Sequence, residues 1–94
     1  MSGGYFDYVQ HRISGSADEL EGYISRCESG GVDMYGDKIE QPPAVLARLR
    51  DCELTLRRAS AMLHRADYLI SGDDSGLSFL RRWREEGLDN KETQ

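Results

Sequence analysis

Two apolar stripes, each spaced by threes and fours, lie on either side of a segment rich in glycine and proline. The first stripe consists of Phe6, Val9, Ile13, Ala17, Leu20, Ile24 and Cys27. The second stripe consists of Val45, Leu49, Cys52, Leu56, Ala59, Leu63, Ala66 and Ile70. This spacing places each stripe on one face of an α-helix. Two such helices hide their stripes by folding back on each other, so the pattern predicts a long antiparallel helical hairpin.

Glycine, proline and turn residues divide the chain into five predicted segments. We expect helix one over 5–28, a capping loop over 30–42, helix two over 43–71, helix three over 76–86 and a flexible tail over 87–94. Gly15 precedes a helix-start signal at 16–19, which would split helix one. Because Ile13 and Ala17 stay in phase across this glycine, we favour one continuous helix.

The predicted loop and helix ends contain residues with clear local preferences. Pro43 suits the first turn of helix two, and Asp74 or Ser75 suits the N-cap of helix three. In the loop, Tyr35 stands in a turn between apolar residues. We expect this loop to cover the end of the hairpin and to bury Val32, Tyr35 and Ile39.

Composition indicates a small hydrophobic core. The 94 residues make one all-α domain, with 38% hydrophobic and 31% charged residues. Burial of about fifteen stripe side chains stabilises the fold less than the cost of ordering the chain, at about 1.5 kcal/mol per residue. We therefore expect a homodimer in which two hairpins form a four-helix arrangement.

Charge is distributed unevenly along the chain, and the net charge is −5. Residues 1–43 hold eight acidic and three basic residues, whereas 44–94 hold nine of each and are rich in arginine. A general nucleic-acid binder needs a basic surface, so we do not expect nucleic acid as a partner. The sequence has no apolar run of membrane-spanning length and no signal-peptide pattern, which favours a cytoplasmic location without membrane contact.

The two cysteines are predicted to be free thiols. Aligning Ser29 with Pro43 in the hairpin places Cys27 and Cys52 about seven residues apart along it, or roughly 10 Å at 1.5 Å per residue. A disulfide needs Cα atoms within about 7 Å of each other.

A polar cluster on helix two is the strongest candidate for chemistry. His64 and Asp67 share a helix face near Tyr68, and the hairpin alignment brings His11 close to them. A histidine oriented by an aspartate can act as a general base, and two histidines with an aspartate could bind a metal. No nucleophile or metal-binding spacing accompanies them. We favour a buried hydrogen-bond network, and we expect no enzymatic activity, no metal and no cofactor.

Arginines and one tryptophan supply the candidate binding residues. Arg48 with Asp51, and Glu53 with both Arg50 and Arg57, have the spacing of ion pairs within a helix. The predicted interaction surface consists of Phe79, Arg82 and Trp83 on helix three and an exposed Tyr35. Alternatively, Trp83 packs helix three onto the hairpin. A second functional hypothesis is a small-ligand binder that sequesters a nucleotide or phosphate compound between arginine-bearing helices.

Two segments resemble a group of small uncharacterised α-helical proteins of bacteriophages and prophages. They run from Leu56 through His64–Asp74 to Trp83, and from Tyr8 through Ile13 to Ile24. The resemblance covers most of residues 5–86 and implies a phage accessory protein in the host cytoplasm. Phage accessory proteins often bind and block a host or antiphage-defence protein. We therefore expect a non-enzymatic chain that binds and modulates or inhibits such a protein.

Overall fold

The fold is a helical hairpin with a short third helix. The structure, a computed structural model, describes residues 6 and 8–89. Its three helices in that part of the chain are α1 (Val9–Ser29), α2 (Pro43–Ile70) and α3 (Gly76–Glu85). Helix α1 packs against α2, and α3 contacts α2. The predicted all-α class and helical hairpin are confirmed.

Helix α1 begins at Val9, after Tyr8. Tyr8 has a φ of 61°, in the left-handed region, which interrupts a right-handed helix at this residue. The start predicted at residue 5 lies outside the described residues. Downstream, α1 continues through Gly15 without a break and ends at Gly30, whose φ of 78° is readily adopted by glycine.

Helices α2 and α3 begin as their local sequences indicate. Pro43 occupies the first turn of α2, where its missing N–H removes no hydrogen bond. After α2, Gly72 adopts a φ of 86° and turns the chain towards α3. The Ser75 hydroxyl then caps α3 by accepting a hydrogen bond from the Ser78 backbone N–H at 3.1 Å.

The loop between α1 and α2 does not cover the hairpin end as predicted. One carboxylate oxygen of Asp33 accepts the backbone N–H groups of Tyr35 at 2.9 Å and Asp37 at 3.0 Å. These local bonds and one antiparallel bridge between Val32 and Lys38 hold the loop together without a hydrophobic core. The expected burial of Val32 and Tyr35 is therefore wrong, because they are 57% and 81% exposed.

The most buried residues of α2 that face α1 do not belong to the second stripe. Glu53 and Asp67 are buried, and Ser60 between them hydrogen-bonds to Gln10 of α1. Asp67 accepts a hydrogen bond from Gln10, whereas Glu53 pairs with Arg57 of α2 itself. By contrast, Val45 and Ile70 of the second stripe are 39% and 50% exposed, and the stripe residues between them are half-buried or, at Cys52, exposed. The prediction that the two stripes shield each other is therefore wrong at the exposed residues of α2, and a polar line occupies the centre of the interface.

The described residues include few fully buried apolar side chains, namely Ala17, Ile24 and Leu88. Leu88 belongs to the predicted flexible tail, and it is only 4% exposed. Its carbonyl oxygen accepts a hydrogen bond from the Arg58 guanidinium. The tail prediction is therefore wrong at Leu88, because the chain after α3 is fixed to α2; residues 90–94 lie outside the described part.

Both cysteines are free thiols, as predicted. Cys27 is half-buried on α1, whereas Cys52 is exposed on α2. Cys52 is exposed like Val45 and Ile70, the other exposed residues of the second stripe.

Candidate functional site

A buried hydrogen-bond network joins the first turns of α1 to the last turns of α2. Asp67 is fully buried, and its carboxylate accepts from Gln10 Nε2 at 3.1 Å and from Ser71 Oγ at 3.0 Å. Ser60 Oγ donates to the backbone oxygen of Gln10 at 2.7 Å. These bonds run across the hairpin and fix the register of the two helices.

The predicted polar cluster does come together around this network. The rings of His64 and Tyr68 lie 4.5 Å apart, and His11 stacks on Tyr8 at 5.7 Å. His11 and His64 line one cleft of about 350 Å³, together with Gln10, Ser14, Arg57, Ser60, Ala61 and Glu86. The hairpin alignment thus correctly predicted the proximity of the two histidines.

Hydrogen bonds and ring contacts hold this cluster together. The Asp67 carboxylate bonds to Gln10 and Ser71, and the His64 ring contacts Tyr68. Among the residues that the structure describes, no three His, Cys, Asp or Glu side chains are grouped to hold a metal ion.

Acidic residues of α1 form ion pairs with arginines of α2. Arg57 contacts Asp18, Glu21 and Glu53, each at 3.0 Å, and Arg50 contacts Glu28. Hydrogen bonds that the Arg57 guanidinium donates to Glu53 and Asp18 raise the pKa of Arg57 above its usual value. Because the pKa is raised, the stability that this charge contributes is fully present at neutral pH and is lost only in strongly alkaline solution, as the pH rises through the raised pKa.

The sequence predicts three ion pairs within α2, and two of them form. Arg50 pairs with Glu28 of α1 instead of with Glu53. The pairs Arg48–Asp51 at 2.8 Å and Glu53–Arg57 at 3.0 Å are confirmed. The pairs between helices were not recognised from the sequence. The available indication was the contrast between an acidic first half and an arginine-rich second half, which meet when the chain folds back.

Helix α3 exposes leucines and half-buries its aromatic residues. Phe79 and Trp83 are half-buried, with ring centroids 5.3 Å apart. Leu77 and Leu80 are 85% and 58% exposed. Trp83 is therefore partly packed, in contact with Phe79, and the most exposed apolar side chains of α3 are the leucines.

The exposed side of α3 also carries positive charge. At about 100° per residue, Arg81 and Arg84 lie on the same side of the helix as the two leucines. We call Leu77, Leu80, Arg81 and Arg84 the α3 surface. Arg82 is exposed next to it, and its Nε donates to Ser78 Oγ at 3.2 Å.

The structure separates Tyr35 from α3. Tyr35 precedes the first residue of α2, whereas α3 follows the last. The 28 residues of α2 span about 42 Å. The chain after α3 folds back along α2 only as far as Arg58, which bonds to Leu88. The predicted surface thus consists of two separate patches.

A second cleft, of about 210 Å³, lies where α2 meets α3. It is lined by Arg65, Tyr68, Asp73, Asp74 and Arg82. Arg65 is 5% exposed and lies over the Tyr68 ring at 5.1 Å. Its ion pair with Glu86 is long, at 3.5 Å, and leaves its Nε and Nη1 atoms without a hydrogen bond.

Two general findings complete the description of the chain. None of the helices among the described residues has the length and apolar character needed to span a membrane. Comparison with protein-family models, with curated proteins and with solved structures finds no match.

Proposed function

We propose that this chain is a non-enzymatic protein that binds another protein through the α3 surface. The observation that supports this proposal is the exposure of Leu77 (85%) and Leu80 (58%) on a helix of ten residues. When a partner covers exposed leucines, the complex is stabilised by about 25 cal/mol per Å² of apolar area buried. The neighbouring Arg81 and Arg84 add donors for carboxylates of the partner.

The attachment of α3 to α2 supports a role as a preformed binding helix. Phe79 and Trp83 are half-buried, and Leu88 fixes the chain after the helix. A helix held in place before binding loses little conformational entropy when the partner docks. Phe79 and Trp83 therefore support the α3 surface from below, and Arg82 lies at its border. Tyr35 forms a separate patch.

The class of partner rests on the resemblance to phage proteins alone. That resemblance implies a host or antiphage-defence protein in the host cytoplasm, which the chain would modulate or inhibit. The geometry adds one chemical property of this partner: an apolar groove with acidic side chains at its rim, complementary to two leucines and two arginines.

The proposal is tested by comparing variants in partner capture. Tagged wild-type protein and the variants Leu80→Asp and Leu54→Asp are used as baits in host-cell lysate, and bound proteins are quantified by mass spectrometry. Leu54 is a matched control, since it is 63% exposed on α2, outside the α3 surface. We expect Leu80→Asp to lose at least about 90% of a partner that Leu54→Asp retains, because a charge disrupts an apolar contact. Equal capture by both variants would contradict the proposal.

The cleft between α2 and α3 favours a second candidate function, binding of a phosphate compound. The unpartnered Nε and Nη1 atoms of the buried Arg65 are donors that a phosphate could accept from. The carboxylates of Asp73 and Asp74 line the same cleft and oppose an anion. Thermal unfolding with a panel of nucleotides tests this candidate: a melting temperature that rises with nucleotide concentration supports it, and unchanged melting temperatures reject it.

A further inference from the structure

Among the described helices, α1 packs only against α2, and α3 also packs only against α2, so no further helix lies over the hairpin as a whole. The Cα atoms extend over 51 × 35 × 14 Å. The radius of gyration is 17.0 Å, compared with about 12 Å for a compact chain of this length. Stable domains usually pack two layers around one core. The hairpin therefore leaves a broad face of each helix without a second layer.

The accessible surface area of the chain is large enough to include an interface with a further protein. The chain exposes 6577 Å², whereas a folded monomer of 10.6 kDa is expected to expose roughly 5,500 Å². The excess of about 1,100 Å² exceeds the roughly 800 Å² that each partner buries in a standard protein–protein interface.

The stripes identify which broad face is apolar. The line from Glu53 through Ser60 to Asp67 faces α1, and the line from Gln10 through Ala17 to Ile24 faces α2. On each helix the remaining stripe residues lie roughly 50–100° away from that line, in the same sense along the chain. In an antiparallel pair this common offset puts both stripes on the same broad face.

We call this the open face and define it by six residues: Ile13, Leu20, Cys52, Ala59, Leu63 and Ala66. Cys52 is exposed and the other five are half-buried. None of the six carries a charge. A partner can therefore cover these six side chains without burying a charge.

We propose that a second copy of this chain covers the open face, so that two hairpins pack into a four-helix bundle. Two copies bring together identical uncharged surfaces, which a twofold axis can match along their whole length. Helix α3 leaves this face free, since its partners Arg58 and Arg65 lie roughly 120° around α2 from the open face. The dimer is thus independent of the α3 surface, and either proposal can fail without the other.

Sedimentation equilibrium of the full-length protein tests the proposed dimer and its face. Ala59→Glu places a carboxylate in the centre of the open face, and Leu54→Glu places the same charge on a 63% exposed residue elsewhere on α2. We expect a dimer for the wild type and for Leu54→Glu. We expect dimerisation of Ala59→Glu to weaken about 100-fold or more, because an unpaired charge would be buried in each subunit.

Thiol labelling keeps the proposal testable if Ala59→Glu fails to fold, as judged by far-UV circular dichroism. Cys52 lies on the open face, and its alkylation in the wild type should slow about tenfold or more between dilute and concentrated protein. A wild type that remains monomeric, an Ala59→Glu variant that dimerises like Leu54→Glu, or concentration-independent alkylation of Cys52 would each overturn the proposal. A monomeric wild type would indicate that a different protein covers this face.

Discussion

Asp67 shows how this chain tolerates a buried carboxylate in a small core. It has no exposed surface, and burial of an ionised group is unfavourable unless hydrogen bonds replace its hydration. Gln10 and Ser71 supply donors to the two carboxylate oxygens of Asp67. Because one donor comes from α1 and the other from the end of α2, Asp67 links the first helix to the turn that precedes α3.

Replacing Asp67 with asparagine tests this link. The amide nitrogen of the substituted side chain would face Gln10 Nε2 or Ser71 Oγ, both of which are donors towards Asp67 at present. Asparagine keeps one acceptor oxygen in place of two, so one of the two hydrogen bonds must re-form with donor and acceptor exchanged, and we expect Asp67→Asn to lower the free energy of unfolding by about 1–3 kcal/mol. Urea denaturation measures this change.

The matched control for Asp67→Asn is Asp51→Asn. Asp51 pairs with Arg48 on the surface, with 63% of its side chain exposed. We expect this control to change stability by less than about 0.5 kcal/mol. Equal denaturation midpoints for the two variants would show that the buried network contributes little.

Only part of this network could be predicted from the sequence. The alignment of the hairpin predicted that His11 and His64 lie together, because it depends on helix length and loop position alone. It did not predict that Gln10 would bind Asp67, since a glutamine on a helix has no spacing that distinguishes a buried position from a solvated one. The orientation of the interface, which the stripes had predicted incorrectly for α2, decides that outcome.

At the scale of elements, α3 depends on the residues that follow it. Leu88 is 4% exposed, its carbonyl bonds to Arg58, and Glu86 pairs with the buried Arg65 at 3.5 Å. A helix of ten residues is marginal in water by itself. The contacts after Glu85 therefore hold α3 in the place where its leucines would form the proposed binding surface.

The variant Leu88→Ala tests this dependence. Truncation of a buried leucine typically costs about 2–5 kcal/mol, and we expect α3 to become less protected than α1 and α2. Amide hydrogen exchange measures this protection helix by helix. Leu77→Ala, at an 85% exposed position of α3, should leave the exchange pattern unchanged. Uniform protection in Leu88→Ala would show that α3 is stable without this anchor.

The helices themselves were predictable because each depends on local features. Pro43, Gly30 and Ser75 mark helix ends through backbone geometry and side-chain capping, which a sequence shows directly. The rotation of α2 about its axis depends on contacts with α1. The apolar periodicity correctly identified one apolar face of α2. In the structure α1 covers this face only in part, and the rest of it remains open to a second layer.

For the whole molecule, an extended shape and a small core have one consequence for stability. Few of the described apolar residues are fully buried, and the radius of gyration is 17.0 Å. A chain with so little buried apolar area gains much of its stability from whatever covers its remaining apolar surface. If a second copy covers the open face, folding and dimerisation become one equilibrium.

Coupled folding and dimerisation predict a melting temperature that depends on protein concentration. Mass action stabilises a dimer by about 1.4 kcal/mol for each tenfold increase in concentration, which corresponds to a rise of about 3–6 °C. Circular dichroism melts over about a hundredfold range of concentration measure this slope. The variant Leu54→Glu should keep the slope, whereas Ala59→Glu should melt lower and with a slope near zero, because it folds as a monomer or not at all. A wild-type melting temperature that stays constant over the whole range would show that the single hairpin is stable alone.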